Sequence, residues 1–220
     1  SPPRTVSYRL RPVAIRTPKL IGTSMFVVRL RSAASPTSGI RIEGLVSDSQ
    51  GRLYTSDLDS RRLWRYTPST NQLETLGTLP RTATGMAFDR DGNLYLASGD
   101  RVMRINAAAL SGPQLDATGV VTFATGTAGA NGLAFDTDGR LFVSGAATGN
   151  IYVVSTSGIT STWASGFTST RSDQQISTNG LAFGPDGMLY SSNTGTGAID
   201  RVPVNADGSA GQGQRFVTND

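Results

Sequence analysis

An all-β fold, a β-propeller of four-stranded blades, is predicted for this 220-residue chain by three observations. One short phrase recurs four times, beginning at Glu43 (EGLVSDSQGRLY), Thr84 (TGMAFDRDGNLY), Asn131 (NGLAFDTDGRLF) and Asn179 (NGLAFGPDGMLY). The starts lie 41, 47 and 48 residues apart, a period that fits propeller blades. The segments between the starts read as short strands joined by Gly- and Asp-rich turns, with no long 3.6-period apolar stripe.

Within each phrase a Gly precedes an apolar strand, a turn closes on a second Gly, and Leu followed by Tyr or Phe opens the return strand. In the third unit the expected strands are Gly132–Phe135, Leu141–Ser144, Asn150–Val154 and Thr160–Ala164, with Asp136–Gly139 as the first turn. The first unit predicts strands over Leu53–Ser56, Leu63–Tyr66 and Gln72–Leu76. The second predicts Leu94–Ala97 and Val102–Ile105, and the fourth Leu189–Ser192 and Ala198–Val204. The helix-like run Asn106–Leu110 is too short to alter the class. Small Ala87, Ala134 and Ala182 suit a crowded centre. Phe88, Phe135 and Phe183, with Tyr54, Tyr95, Phe142, Tyr190, Trp64 and Trp163, suit packing between blades. About four blades are visible.

The first strand of a propeller blade lines the central channel. The one variable letter of the phrase therefore decorates a ring, and Glu43, Thr84, Asn131 and Asn179 are expected at one channel mouth. A carboxylate with two carboxamides there suits a hard, oxygen-seeking cation. Asn at a strand start also commonly bonds neighbouring backbone; Glu43 in the same register favours the metal. Thr84 is expected to line the channel as a hydroxyl, and Asp57 to border a substrate.

Composition limits the chemistry. The chain has 26 Gly and is 37% hydrophobic, with no apolar run long enough for a membrane helix. It has no Cys and no His, which excludes disulfides, thiolate metal sites and imidazole bases. All eight basic residues of positions 1–42 lie there without an acid, leaving twelve basic against sixteen acidic in the remainder. The segment 1–41 is thus a basic N-terminal arm, expected to include a blade-closing strand at Met25–Leu30, and 42–220 is the propeller. The arm lacks the aromatic interleaving of a nucleic-acid surface, so no nucleic acid and no membrane is expected as partner. The compartment stays open between cytoplasm and bacterial export.

The segments IEGLVSDSQGRLYTSD, GANGLAFDTDGRLFVSG and NGLAFGPDGMLYSSNTGTGAIDRVPVN resemble the SMP-30/gluconolactonase family of six-bladed propellers, over roughly Ile42 to Val204. The resemblance implies a metal-dependent hydrolase that opens a lactone with metal-activated water. It implies one divalent cation, Ca²⁺ first, with Mg²⁺, Mn²⁺ or Zn²⁺ as alternatives. Glu43 and Asn179 match metal ligands, and Asn131 matches an Asn near metal and substrate. The family's remaining ligand, an Asp that also acts as base, would fall past Asp220, so the catalytic base is unassigned. Gly129 stands where several members carry an Arg for acidic sugar lactones. Two other readings remain: a non-catalytic propeller that binds a ligand or partner, and an organophosphate hydrolase with a similar centre. Four blades out of six leave sheet edges near residues 30 and 215, to be covered by further polypeptide or by an oligomer.

Overall fold

The computed structural model describes residues 41–167 and 177–217. The first phrase and its continuation form β1 (Ile42–Ser47), β2 (Leu53–Asp57), β3 (Arg62–Thr67) and β4 (Gln72–Thr78), an antiparallel four-stranded blade in chain order. The fourth phrase forms a second such sheet from β11 (Thr178–Phe183), β12 (Leu189–Asn193), β13 (Ala198–Val202) and β14 (Gln214–Val217). Between them a six-stranded sheet runs through β5 (Met86–Phe88), β6 (Leu94–Ile105), β7 (Val120–Phe135), β8 (Leu141–Gly145), β9 (Asn150–Val154) and β10 (Thr160–Ala164). The expected strand ending at Val204 stops at Val202, and the expected closing strand Met25–Leu30 lies outside the described residues.

The six-stranded sheet is two blades joined end to end. Leu94–Leu96 of β6 pair with β5, while Arg101–Ile105 pair with Val120–Thr125 of β7. The remainder of β7, from Ala130 to Phe135, pairs with β8. The outer strand of the second blade therefore continues into the inner strand of the third. Gly126 and Gly129, both at positive φ, carry the chain through the change of direction.

The phrase turn has a local cause. Asp48, Asp89 and Asp136 each accept backbone N–H groups two and four residues on, closing the same Asx-type turn before the return strand. Gly51, Gly92 and Gly139 take the positive φ it requires.

Blades pack through the aromatic letters. Tyr54 meets Phe88, Tyr95 meets Phe135 and Phe142 meets Phe183, each edge to face at ring separations of 5.1, 5.1 and 5.2 Å. Leu63, Leu94, Leu96, Ile105, Val143 and Leu189 are fully buried at these junctions. Each contributes about 1.5–3 kcal/mol relative to exposure. Trp163 joins the third junction, stacking on Phe142 and donating to the Gly208 carbonyl.

The crowded positions at the centre are the phrase glycines rather than the expected alanines. Ala87 and Ala134 sit in the inter-blade cores. A Cβ on Gly44, Gly85 or Gly132 would instead strike the carbonyl oxygen of Thr84, Asn131 or Asn179 respectively, the first letter of the next phrase. Gly180 meets only its own blade, at Ser192 Oγ. Beyond it Ile199, Phe216 and Val217 are exposed, and Tyr190 packs edge to face on Phe216 of the same sheet.

Candidate functional site

The close approach of inner strands assembles the variable letters. β1 lies against β5, β5 against β7 and β7 against β11. Gly85 N–H donates to the Asn131 carbonyl at 2.7 Å, which ties the second inner strand to the third. Ser144 ties the third to the fourth: its hydroxyl accepts Gly132 N–H at 2.7 Å and donates to the Asn179 carbonyl.

Glu43 and Asn131, 88 residues apart, touch directly. Asn131 Nδ2 donates to Glu43 Oε1 at 3.0 Å. Asn179 stands on the adjoining strand, its Nδ2 donating to Thr194 Oγ1 at 3.2 Å. Both carboxamides thus spend an N–H on a neighbour and keep Oδ1 as an acceptor. Carboxylate and amide oxygens of this kind are the donors that hard cations such as Ca²⁺ or Mg²⁺ prefer. Among the described residues no three Asp, Glu, His or Cys cluster as a carboxylate-rich metal site; the donor chemistry here depends on amides.

Thr84 and Asp57 are engaged elsewhere. The Thr84 hydroxyl lies within hydrogen-bond distance of the Ala97, Ala130 and Asn131 carbonyls, so it staples strands together. Asp57 is buried, and its Oδ1 accepts the Arg41 and Asp59 amides while Oδ2 accepts the Ser60 amide and hydroxyl. Burial pushes the Asp57 carboxyl upward, but the Ser60 hydroxyl and those amides outweigh it and hold the group below its usual range. Asp59 is lowered by its hydrogen bond and ion pair with Arg41, a residue whose charge also reaches Glu43.

Two features were not foreseen. Thr194, from the TGTG run, holds the Asn179 carboxamide; only its place one residue after β12 hinted at it. Gly129 is also more than a missing Arg. It sits at φ +71°, and a Cβ there would lie 2.5 Å from the Ala147 amide nitrogen and 2.7 Å from its Cβ. The backbone path leaves no room for a side chain.

Antiparallel four-stranded blades that follow one another with their inner strands side by side define a β-propeller. The sequence profile of the SMP-30/Gluconolactonase/LRE-like region matches residues 42–219, and the chain belongs to that family. No curated protein matches it. Among solved structures it is similar to regucalcin from Agrobacterium tumefaciens, described as a calcium-binding protein: 23% identity, 80% of this chain, 59% of that one, TM-score 0.61. Virginiamycin B lyase from Staphylococcus aureus shares 12% identity over 81% of this chain and 56% of that one, at a TM-score of 0.57. An auxiliary nutrient binding protein from Bacteroides ovatus shares 15% over 81% and 42%, at 0.64. The chain therefore spans 42–59% of the length of these three structures. At such identities the likeness establishes the propeller fold.

Proposed function

We propose that this protein is a divalent-cation-dependent hydrolase that opens a cyclic ester at the inner ring of its propeller. The observation that carries the reading is the Glu43–Asn131 contact beside Asn179. It brings together a carboxylate and an amide from two separate phrases, with the amide of a third on the adjoining strand. Membership of a family that includes gluconolactonases supports it, as does the calcium-binding description of regucalcin. Glu43, Asn131 and Asn179 would hold the cation, Ca²⁺ first among Mg²⁺, Mn²⁺ and Zn²⁺. Such a cation, when bound, polarises an ester carbonyl and acidifies a coordinated water. Asn131 and Thr194 orient the donor set through their hydrogen bonds, and Glu43 supplies its negative charge. The base that receives the proton of water is unassigned within these residues.

The sealed space at Gly129 bears on substrate choice. With no basic side chain at that position, a neutral lactone is the better fit than an acidic sugar lactone. The exposed face of the last sheet, with Tyr190, Ile199 and Phe216, belongs under further polypeptide or a second copy.

Calorimetric titration with Ca²⁺, followed by a panel of neutral lactones, acidic lactones and phosphotriesters, tests the reading. Expected are saturable binding, neutral-lactone turnover sensitive to EDTA, and loss of both in Glu43→Gln with the fold intact. Absence of cation binding would refute it. A non-catalytic ligand-binding propeller is the second reading, favoured by the unassigned base; it predicts no turnover on any panel member and no effect of Glu43→Gln on ligand binding.

A further inference from the structure

The junction between the second and third blades contains a cavity of about 510 Å³ at the turn end of the phrase, away from Glu43. Its walls are the rings of Phe88, Tyr95, Phe123 and Phe135, and Arg104 reaches into it. The repeat supplies an internal comparison, because the first junction has the same parts in the same places.

In the first blade the residue equivalent to Arg104 is Arg65, which is buried and paired. Its Nε donates to Glu74 Oε2 at 3.0 Å, and its Nη1 donates to the Leu110 carbonyl at 2.7 Å. Glu74 is its cross-strand neighbour. Leu110 belongs to α1 (Ala107–Ser111), which lies in the long connection between β6 and β7 and packs back on the first blade.

Both partners are missing one junction later. The cross-strand neighbour of Arg104 is Val121, which carries no charge. The connection from β9 to β10 is only a tight turn closed by hydrogen bonds between Ser155 and Ile159, so no helix fills the space. Arg104 lies over the Phe123 ring at 5.4 Å, its Nε buried without a hydrogen-bond partner. It forms no ion pair among the described residues.

We infer that this cavity binds a small monocarboxylate with a flat apolar body, its carboxylate on Arg104 where Glu74 sits on Arg65 and its body among the four rings. Planar guanidinium and carboxylate match in geometry and charge. Four aspartates share the walls with the two arginines. Asp89 and Asp136 are held by their own turn amides, and Asp136 is also paired with Arg140. Asp91 and Asp138 carry no ion pair among the described residues, but both are exposed to solvent at the rim, where their charge is screened. Glu74 pairs with Arg65 next to the corresponding Asp48 and its Arg52. Arg90 adds a second positive charge to the rim.

Benzoate is the probe, followed by heteronuclear NMR on the full chain through the Arg Nε–H signals, with benzamide as the neutral isostere. Expected is a saturable shift of the Arg104 Nε–H signal by benzoate in the millimolar range and none by benzamide. Val121→Glu places a carboxylate where Glu74 stands in the first blade. It should move the same signal without ligand and weaken benzoate at least about tenfold. Arg104→Gln should remove benzoate binding while leaving the other resonances in place, and it carries the test if Val121→Glu fails to fold. No benzoate shift at about 20 mM, far above the affinity expected of so small a ligand, overturns the inference. So does equal binding by wild type and either variant, or equal binding of benzamide.

Discussion

Gly85→Ala tests the central packing of the propeller. The new Cβ would stand against the Asn131 carbonyl oxygen, 3.1 Å from its carbonyl carbon and 3.0 Å from the Gly132 Cα. All three are backbone atoms, so no rotamer change relieves the contact. The same carbonyl accepts the Gly85 amide at 2.7 Å, and separating the strands breaks that bond. Overpacking costs about 1–3 kcal/mol and the hydrogen bond about 1, for about 2–4 kcal/mol in total. Gly132→Ala meets the Asn179 carbonyl and the Leu181 amide nitrogen in the same way and should cost about as much. Gly180→Ala is the internal control, since its Cβ meets only the movable Ser192 hydroxyl at 3.3 Å, and it should stay within about 0.5 kcal/mol of the parent. Urea unfolding followed by the fluorescence of Trp64 and Trp163, compared at equal slope, measures all three. If Gly85→Ala and Gly132→Ala stay within about 0.5 kcal/mol, or if Gly180→Ala matches their loss, the reasoning fails.

Ser144→Ala leaves the Gly132 amide and the Asn179 carbonyl without the hydroxyl they share. It should lower stability by about 1–3 kcal/mol, with Ser192→Ala, whose hydroxyl serves only Gly180 N–H, losing less in the same urea series. Phe135→Leu removes a ring packed edge to face on Tyr95; it should cost about 0.5–1.5 kcal/mol, read as a lower unfolding midpoint. Asp48 titrates in a predictable direction. Burial raises its pKa, but the Arg52 side chain and amide outweigh that, and the net value lies below the usual 3.8. The stability it contributes is therefore complete above that usual value and fades as the pH falls through it towards the lowered one. Asp48→Asn should be less stable than wild type at pH 7, with the gap narrowing below about pH 4; parallel pH-dependent melts check the convergence.

The blades were legible in the sequence because their signals are local. Asp48, Asp89 and Asp136 each close a turn through amides two and four residues away, and the strands around them alternate at period two. The aromatic letters were also legible as inter-blade packing, since a ring at a fixed register must meet the neighbouring sheet. The gathering of Glu43 with Asn131 was readable only through the repeat, which says that equivalent letters share a height. Elsewhere the register carried less information. The expected Leu94–Ala97 and Val102–Ile105 are the two halves of β6, each paired with a different strand and separated by Gly99 at positive φ, and β7 crosses a blade boundary by turning at Gly126 and Gly129 without leaving the sheet.

Tertiary structure decided what the side chains do there. The sequence presents Thr84 and Asp57 as polar letters beside a channel; the fold sets the Thr84 hydroxyl among carbonyls of β6 and β7, and Asp57 on the amides and hydroxyl of its own turn and the Arg41 amide. It presents Gly129 as an absent Arg, and the fold shows a backbone that excludes any side chain. Arg65 and Arg104 occupy the same repeat position, yet Arg65 has an ion pair and Arg104 has none among the described residues. The difference comes from Glu74, Val121 and a five-residue helix that follows Arg104 in the chain yet packs on Arg65. Local hydrogen bonds and alternation are written into neighbouring residues. Pairing, exclusion and burial arise only where distant segments compete for one volume.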